Sequence, residues 1–219
     1  MTDFAAARRN MVDGQVRTAD VTDLRIIAAM QEVPRERFVQ PPSAGLAYLD
    51  LALPVGGVEG VPRCLLKPMV LAKLIQAADL DPSDRVLVIG CATGYSAAVL
   101  ARIAGPVTAL EQDEKLAPFA QSALAGQSNV AVVKGPLVDG WAPAAPYDVI
   151  LIDGAVERIP QTVSRQLADG GRLLCVMGVA PGASAMLYRR SGEEFAGRAI
   201  FDATAALLPG FAKAAVFAF

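Results

Sequence analysis

The chain has 219 residues, 53% of them apolar, and a formal net charge of −2. That length suits one sizeable domain, or one domain with a small annex, and buries a substantial core. A slightly acidic charge excludes electrostatic attraction to nucleic acid. With no histidine in the sequence, a Ser-His-Asp triad, a Cys-His pair and any His-ligated metal are excluded too.

The apolar share is above that of an ordinary soluble domain, and predicts a large core, an oligomer interface or a greasy cleft. The longest charge-free runs, 86–101 and 173–188, are 16 residues long and broken by Gly, Ser or Pro. Neither predicts a membrane span. The opening "MTDFAAARRNMVDGQVR" lacks the apolar core of a signal peptide. Cys64, Cys91 and Cys175 lie far apart without CxxC spacing, which predicts reduced thiols and a cytoplasmic protein.

In chain order, the first forty residues read as helical. Leu24, Ile27, Ala28 and Met30 recur at helical spacing, with Asp20 as N-cap. Prolines break the pattern after Val33, and "AYLDLALPVGG" reads as an extended connection. "KPMVLAKLIQAADL" is helical again, with Pro68 tolerated in the first turn. After Asp81 strands and helices alternate: "RVLVIG", "GYSAAVLARIA", "VTALEQ", "DEKLAPFAQSALAG", "VAVVKG", "YDVILIDG", "PQTVSRQLADGG" and "GRLLCVMG". The strands are almost continuously apolar, as strands buried on both faces must be. The alternation predicts an α/β fold with a doubly wound, mostly parallel, Rossmann-like sheet. The tail predicts two or three more strands as an antiparallel addition, with "LLPGF" and "AVFAF" as core strand. The predicted organisation is a helical annex with a substrate-side loop over 1–80 and a cofactor-binding α/β domain over 81–219.

Ligands in such sheets bind beyond the strand C-termini, where strand order reverses. The loop after Ile89 is the first such place. Gly90 and Gly94 bracket it, and the helix that follows aims free N–H groups into the same space. Ala92 stands at its centre, tolerable if its φ is negative or the strain small. The next strand ends in Glu111, 21 residues after Gly90, an acid placed to accept from a ribose diol. It reads as cleft-facing, with no core role. NAD and S-adenosylmethionine both suit this pattern. The turn is one residue shorter than the dinucleotide fingerprint, which favours S-adenosylmethionine, a donor with no phosphate to cradle. Cys91 reads as a small thiol packed beneath the cofactor and Trp141 as core or loop cover. A metal at Asp153 would need further oxygen ligands, and none is expected.

The stretches "MVDGQVR", "AAMQEVPRERFV", "AYLDLALPVGG", "KPMVLAKLI", "VLVIGCATGYSAAVLARIAGPVTALEQD", "NVAVVKG", "PYDVILIDGA" and "QLADGGRLL" resemble the protein-L-isoaspartate O-methyltransferase family over nearly the whole chain. The resemblance implies a class I methyltransferase fold, S-adenosylmethionine as methyl donor, and methylation of a carboxylate on an isoaspartyl peptide or protein, or on a small acceptor. It implies a cofactor site at Gly90, Cys91, Ala92, Gly94, Tyr95, Ser96, Glu111, Gln112, Pro136 and Leu137. It implies a substrate side at Tyr48, Asp50 and Cys64, and catalytic positions at Leu66, Lys67 and Asp153. The chain departs from the family pattern where it matters. Val88 replaces a strand acid and Ala92 a glycine. Cys64-Leu65-Leu66-Lys67-Pro68 replaces Thr-Ile-Ser-Gln-Pro, so the family serine position is Leu66. Gly135-Pro136-Leu137 replaces Gly-Asp-Gly. Low or redirected isoaspartyl methylation is expected. The rivals are a small-molecule O-methyltransferase and a non-catalytic protein that kept the scaffold.

Overall fold

The computed structural model describes residues 3–58 and 61–213. Helix α1 (Phe4–Met11) starts where the Asp3 carboxylate accepts from the Ala6 N–H, and continues through a π-helical turn, Val12–Val16. Helix α2 (Leu24–Glu32) is capped by Asp23, not Asp20, which lies in the left-handed turn before it. The buried face carries Ile26, Ile27, Ala29 and Met30, while Leu24 and Ala28 of the expected apolar stripe are exposed. The stretch expected as a connection is a strand instead. β1 (Leu53–Val58) pairs antiparallel with β2 (Val61–Leu65) in a separate two-stranded hairpin. Helix α3 (Pro68–Ala78) follows, with Pro68 in its first turn, where a missing N–H costs nothing.

The main sheet comprises β3 (Val86–Ile89), β4 (Val107–Glu111), β5 (Val130–Lys134), β6 (Tyr147–Val156), β7 (Leu167–Met177), β8 (Ser184–Ser191) and β9 (Glu194–Asp202). Their order is β5-β4-β3-β6-β7-β8-β9, with five parallel strands and an antiparallel β8–β9 addition. Helices α4 (Tyr95–Leu100) and α5 (Leu116–Leu124) make the first two crossovers. Helix α6 (Gln161–Ser164) is far shorter than the predicted run to Gly170. Leu167 already pairs with Tyr147 as the start of β7, and the ladder shifts before Val149 pairs with Arg172. Met11, Ile26 and Met30 share one apolar core with Leu71, Val88 and Val99; a second core, with Leu87, Ile150 and Leu173, lies on the other face of the sheet.

The chain runs outward through β3, β4 and β5, then returns to place β6 beside β3. This reversal is the switch point where ligands of such sheets bind. Ile89 pairs with Ile152, so Gly90 and Asp153 emerge side by side at its mouth.

Past β9 the chain folds back over that mouth. Ala155 donates to the Ala206 carbonyl at 2.8 Å, and Leu208 donates to the Ala155 carbonyl at 2.9 Å. Among the described residues this segment makes only an isolated bridge, Ala155 with Leu207, and not the expected core strand. The second half of that expectation, 214–219, lies outside the described residues. Leu208 and Phe211 are buried and anchor the segment. A Cβ on Gly154 would stand 2.7 Å from Leu208 Cδ2 and 3.1 Å from the Ala206 carbonyl. Gly154→Ala should therefore lift the segment and cost about 1–3 kcal/mol as overpacking, read as a lowered midpoint in urea unfolding.

Candidate functional site

The turn after β3 has the backbone that its glycines permit. Gly90 has φ +77° and Gly94 φ +99°, both in the left-handed region that glycine enters without steric cost. Ala92 takes φ +51°, so of the two conditions under which the turn tolerates it the negative angle is not met, and left-handed geometry costs an alanine roughly 1–2 kcal/mol. Its N–H donates to Glu111 Oε2 at 2.8 Å, which holds the strained residue in place.

Glu111 is not the open, cleft-facing acid that the sequence suggested. Its side chain is 0% exposed and paired with Arg63, itself 3% exposed. Arg63 Nη1 donates to Oε1 at 2.6 Å and Nη2 to Oε2 at 2.8 Å, while Nη2 also reaches the Gly90 carbonyl at 2.9 Å. The backbone N–H groups of Gln112 and Asp113 add bonds to Oε1 at 2.8 and 3.0 Å. With the Ala92 N–H, five donors converge on one carboxylate. A carboxylate offers about four lone-pair sites, so none is left for a ribose diol.

The whole of 86–100 is buried. Cys91 lies beneath the turn, and burial pushes its thiol well above the usual range, with Glu111 and Asp153 adding to the effect. Thr93 Oγ1 donates to the Phe38 carbonyl at 2.6 Å. Tyr95 stacks edge-on against Phe38 and lies 4.5 Å beneath the Arg35 guanidinium. Gln112 Oε1 accepts from the Leu137 N–H at 3.3 Å; Leu137 is buried and Pro136 exposed.

Asp153 is 2% exposed and neither carboxylate oxygen has a hydrogen bond of normal geometry. Burial pushes its pKa up from the ordinary 3.8 to about 6, opposed by Ser96 and by the charges of Arg63 and Arg35. Among the described residues Arg35 Nη1 and Tyr95 Oη likewise have no hydrogen-bond partner. The rest of Arg35 is tied down, Nε to the Ala47 carbonyl and Nη2 to the Leu66 carbonyl, both at 2.8 Å.

The remaining predicted positions do not converge. Leu66 is buried. Lys67, at the start of α3, lines a cleft of about 310 Å³ with Met69, Gly182, Asp202 and Thr204. Cys64 is half-buried. Tyr48 faces inward, its hydroxyl donating to Glu36 and its ring against Phe4, so it does not open onto a substrate cleft. Asp50 is exposed in a loop with Leu46, Leu49 and Leu51. Sequence reasoning missed Arg63, Arg35 and Leu208. The one available signal for Arg63 was alternation along β2, which puts it on the same inward face as Leu65. An inward arginine needs an acid.

A doubly wound sheet with a glycine-bracketed turn at its switch point and an acid ending the next strand is the architecture of class I methyltransferases as well as of dinucleotide-binding domains, and comparison with known proteins decides for the first. Residues 7–201 match the family model described as protein-L-isoaspartate(D-aspartate) O-methyltransferase. A protein-L-isoaspartate O-methyltransferase 1 of Rhodopseudomonas palustris is 43% identical, with 81% of this chain and 71% of the relative covered. A Methanoregula boonei relative of the same description is 38% identical over 86% of each chain. A solved protein-L-isoaspartate O-methyltransferase superposes with TM-score 0.81 at 28% identity, covering 92% of this chain and 66% of that longer one. A Plasmodium falciparum chain described as such an enzyme, in complex with S-adenosyl-L-homocysteine, shares the fold with TM-score 0.72 at 16% identity over 92% and 97% of the two chains. The chain belongs to the protein-L-isoaspartate(D-aspartate) O-methyltransferase family, whose members are S-adenosylmethionine-dependent enzymes.

Set against that donor, the site has the right parts in a closed arrangement. The turn and the strand-end acid are present, but Arg63 holds the acid and the Gly90 carbonyl, and Leu208 packs against the turn. A Cβ on Gly90 would lie 3.0 Å from Leu208 Cδ1 and 3.1 Å from Arg63 Nη2. The residues as arranged do not fit an adenosyl group.

Two outcomes follow from this packing. Glu111→Ala leaves a buried guanidinium without its counter-charge and should cost about 3–5 kcal/mol, measured by denaturant unfolding. For Asp153, folding raises the pKa. Between about pH 4 and 6 the folded state therefore holds a proton that the unfolded state has released, and its contribution to stability is lost as pH rises through that window. Asp153→Asn removes this dependence. It should exceed wild type in stability at pH 8 by on the order of 1–3 kcal/mol, and by much less at pH 4, as paired unfolding curves would show.

Proposed function

We propose that this chain is a family O-methyltransferase with low isoaspartyl turnover and an altered acceptor end. The observation that carries the reading is Leu66. It is buried at the position the family resemblance gives to a serine, and its carbonyl is taken by Arg35. A carboxylate acceptor needs a donor for the oxygen that does not react, and Leu66 has only methyl groups there. Leaving that oxygen desolvated without a partner costs about 1–3 kcal/mol. Lys67 keeps a cationic group in the cleft it shares with Asp202 and Thr204, a charge that would attract a carboxylate acceptor of either kind. The cysteines are all free thiols, in keeping with a cytoplasmic setting. A second reading, a non-catalytic protein on the same scaffold, is favoured by the closed arrangement around Glu111.

Methyl transfer from labelled S-adenosylmethionine to an isoaspartyl peptide tests the first reading. Wild type should be roughly ten- to a hundred-fold slower than Leu66→Ser/Lys67→Gln. Equal and brisk turnover by both proteins would show that the hydroxyl is dispensable and that the acceptor end is unaltered.

A further inference from the structure

We propose that Arg63 is a built-in plug of the donor cleft: its guanidinium holds the Glu111 carboxylate and the Gly90 carbonyl, and an adenosyl ligand enters only when β2 withdraws it. The inference rests on the reading of the chain as a family methyltransferase, and concerns how its donor gains access.

Three observations carry it. First, the plug is made of the groups a donor would need. Arg63 makes three bonds of 2.6 to 2.9 Å to Glu111 and Gly90, and leaves both in a site with no layer of space between turn and plug. Leu208 closes the other side of Gly90. Second, the strand carrying Arg63 is not part of the main sheet. Among the described residues β2 pairs only with β1, and the hairpin is held to the body by the packing of Leu53, Val55 and Leu65, not by strand pairing. It can shift without breaking a ladder of the seven-stranded sheet. Third, there is room for the withdrawn side chain. Arg63 borders a cleft of about 420 Å³ with Gly57, Gln112, Asp113, Lys115 and Pro209, within the range of small-molecule sites.

Charge adds to the block. S-adenosylmethionine, whose ammonium is balanced by its carboxylate, keeps the net positive charge of its sulfonium and meets the guanidinium already there. S-adenosylhomocysteine, neutral at sulfur, meets less of that repulsion and is the better probe.

The apparent affinity of a closed site is the intrinsic affinity scaled by the fraction open. One charge-assisted hydrogen bond corresponds to about ten- to a hundred-fold in such an equilibrium. Arg63→Gln removes the fork, while Glu111 keeps three backbone donors, from Ala92, Gln112 and Asp113, so the variant should fold. Calorimetric titration with S-adenosylhomocysteine should show at least about tenfold tighter binding by Arg63→Gln than by wild type. Equal or weaker binding by a folded variant overturns the plug. Should the variant not fold, amide exchange on wild type decides: saturating S-adenosylhomocysteine should speed exchange at 61–65 while slowing it at 90–96. Binding that leaves 61–65 unchanged, or no binding at millimolar ligand with unchanged exchange, overturns it as well. Tighter binding without turnover on any acceptor leaves the plug standing and removes the methyltransferase reading. Turnover with equal affinities in both proteins removes the plug alone.

Discussion

The buried ion pair between Arg63 and Glu111 is the constraint on which the arrangement of the site depends. It joins three parts of the chain that share no secondary structure: the β1–β2 hairpin, the turn after β3 and the end of β4. Such a pair adds little net stability, because desolvating two charges consumes most of their attraction, yet removing one partner is costly. Its effect is to select one arrangement. Glu111 also steadies Ala92 in its left-handed conformation through the N–H bond, so the strain in the turn and the position of the hairpin are settled by the same carboxylate.

The two sides of the switch point differ in how well their polar groups are satisfied. On the β4 side, five donors crowd one acid. On the β6 side, both oxygens of Asp153, Arg35 Nη1 and Tyr95 Oη have no hydrogen-bond partner among the described residues. Native structures keep very few such groups, and these four atoms belong to residues that act on one another electrostatically. The unsatisfied groups lie at the end of β6 and the oversatisfied acid at the end of β4, on the two sides of the switch point.

Much of this was legible in the sequence. The apolar strands, the turn at Gly90, the acid at Glu111 and the proline-led start of α3 follow from local pattern and turn chemistry, and local pattern is what a sequence displays directly. The hairpin was read as a connection because Gly56, Gly57 and Pro62 hide its pairing. Helix α6 was read too long because the start of β7 at Leu167 depends on a partner strand, not on its own residues. Arg63 escaped for the same reason in sharper form. Its partner lies 48 residues away, and no local rule tells an inward arginine from a solvated one except the alternation of a short strand. The family resemblance pointed to Leu66, Val88 and Ala92 as departures, but the guanidinium that fills the site stands outside those motifs.

The three thiols sort themselves by depth. Cys64 follows Arg63 directly on β2 and is half-buried, with burial raising its pKa, while Cys91 and Cys175 are fully enclosed. Since only the thiolate reacts readily, an alkylating reagent meets a graded set of obstacles. Modification at Cys64 reports on the hairpin, and modification at Cys91 on the turn after β3, whereas modification at Cys175, inside β7, waits for the sheet itself to come apart. In Cys64 and Cys175 the molecule thus carries, without any added label, separate chemical reporters for a local opening and for global unfolding.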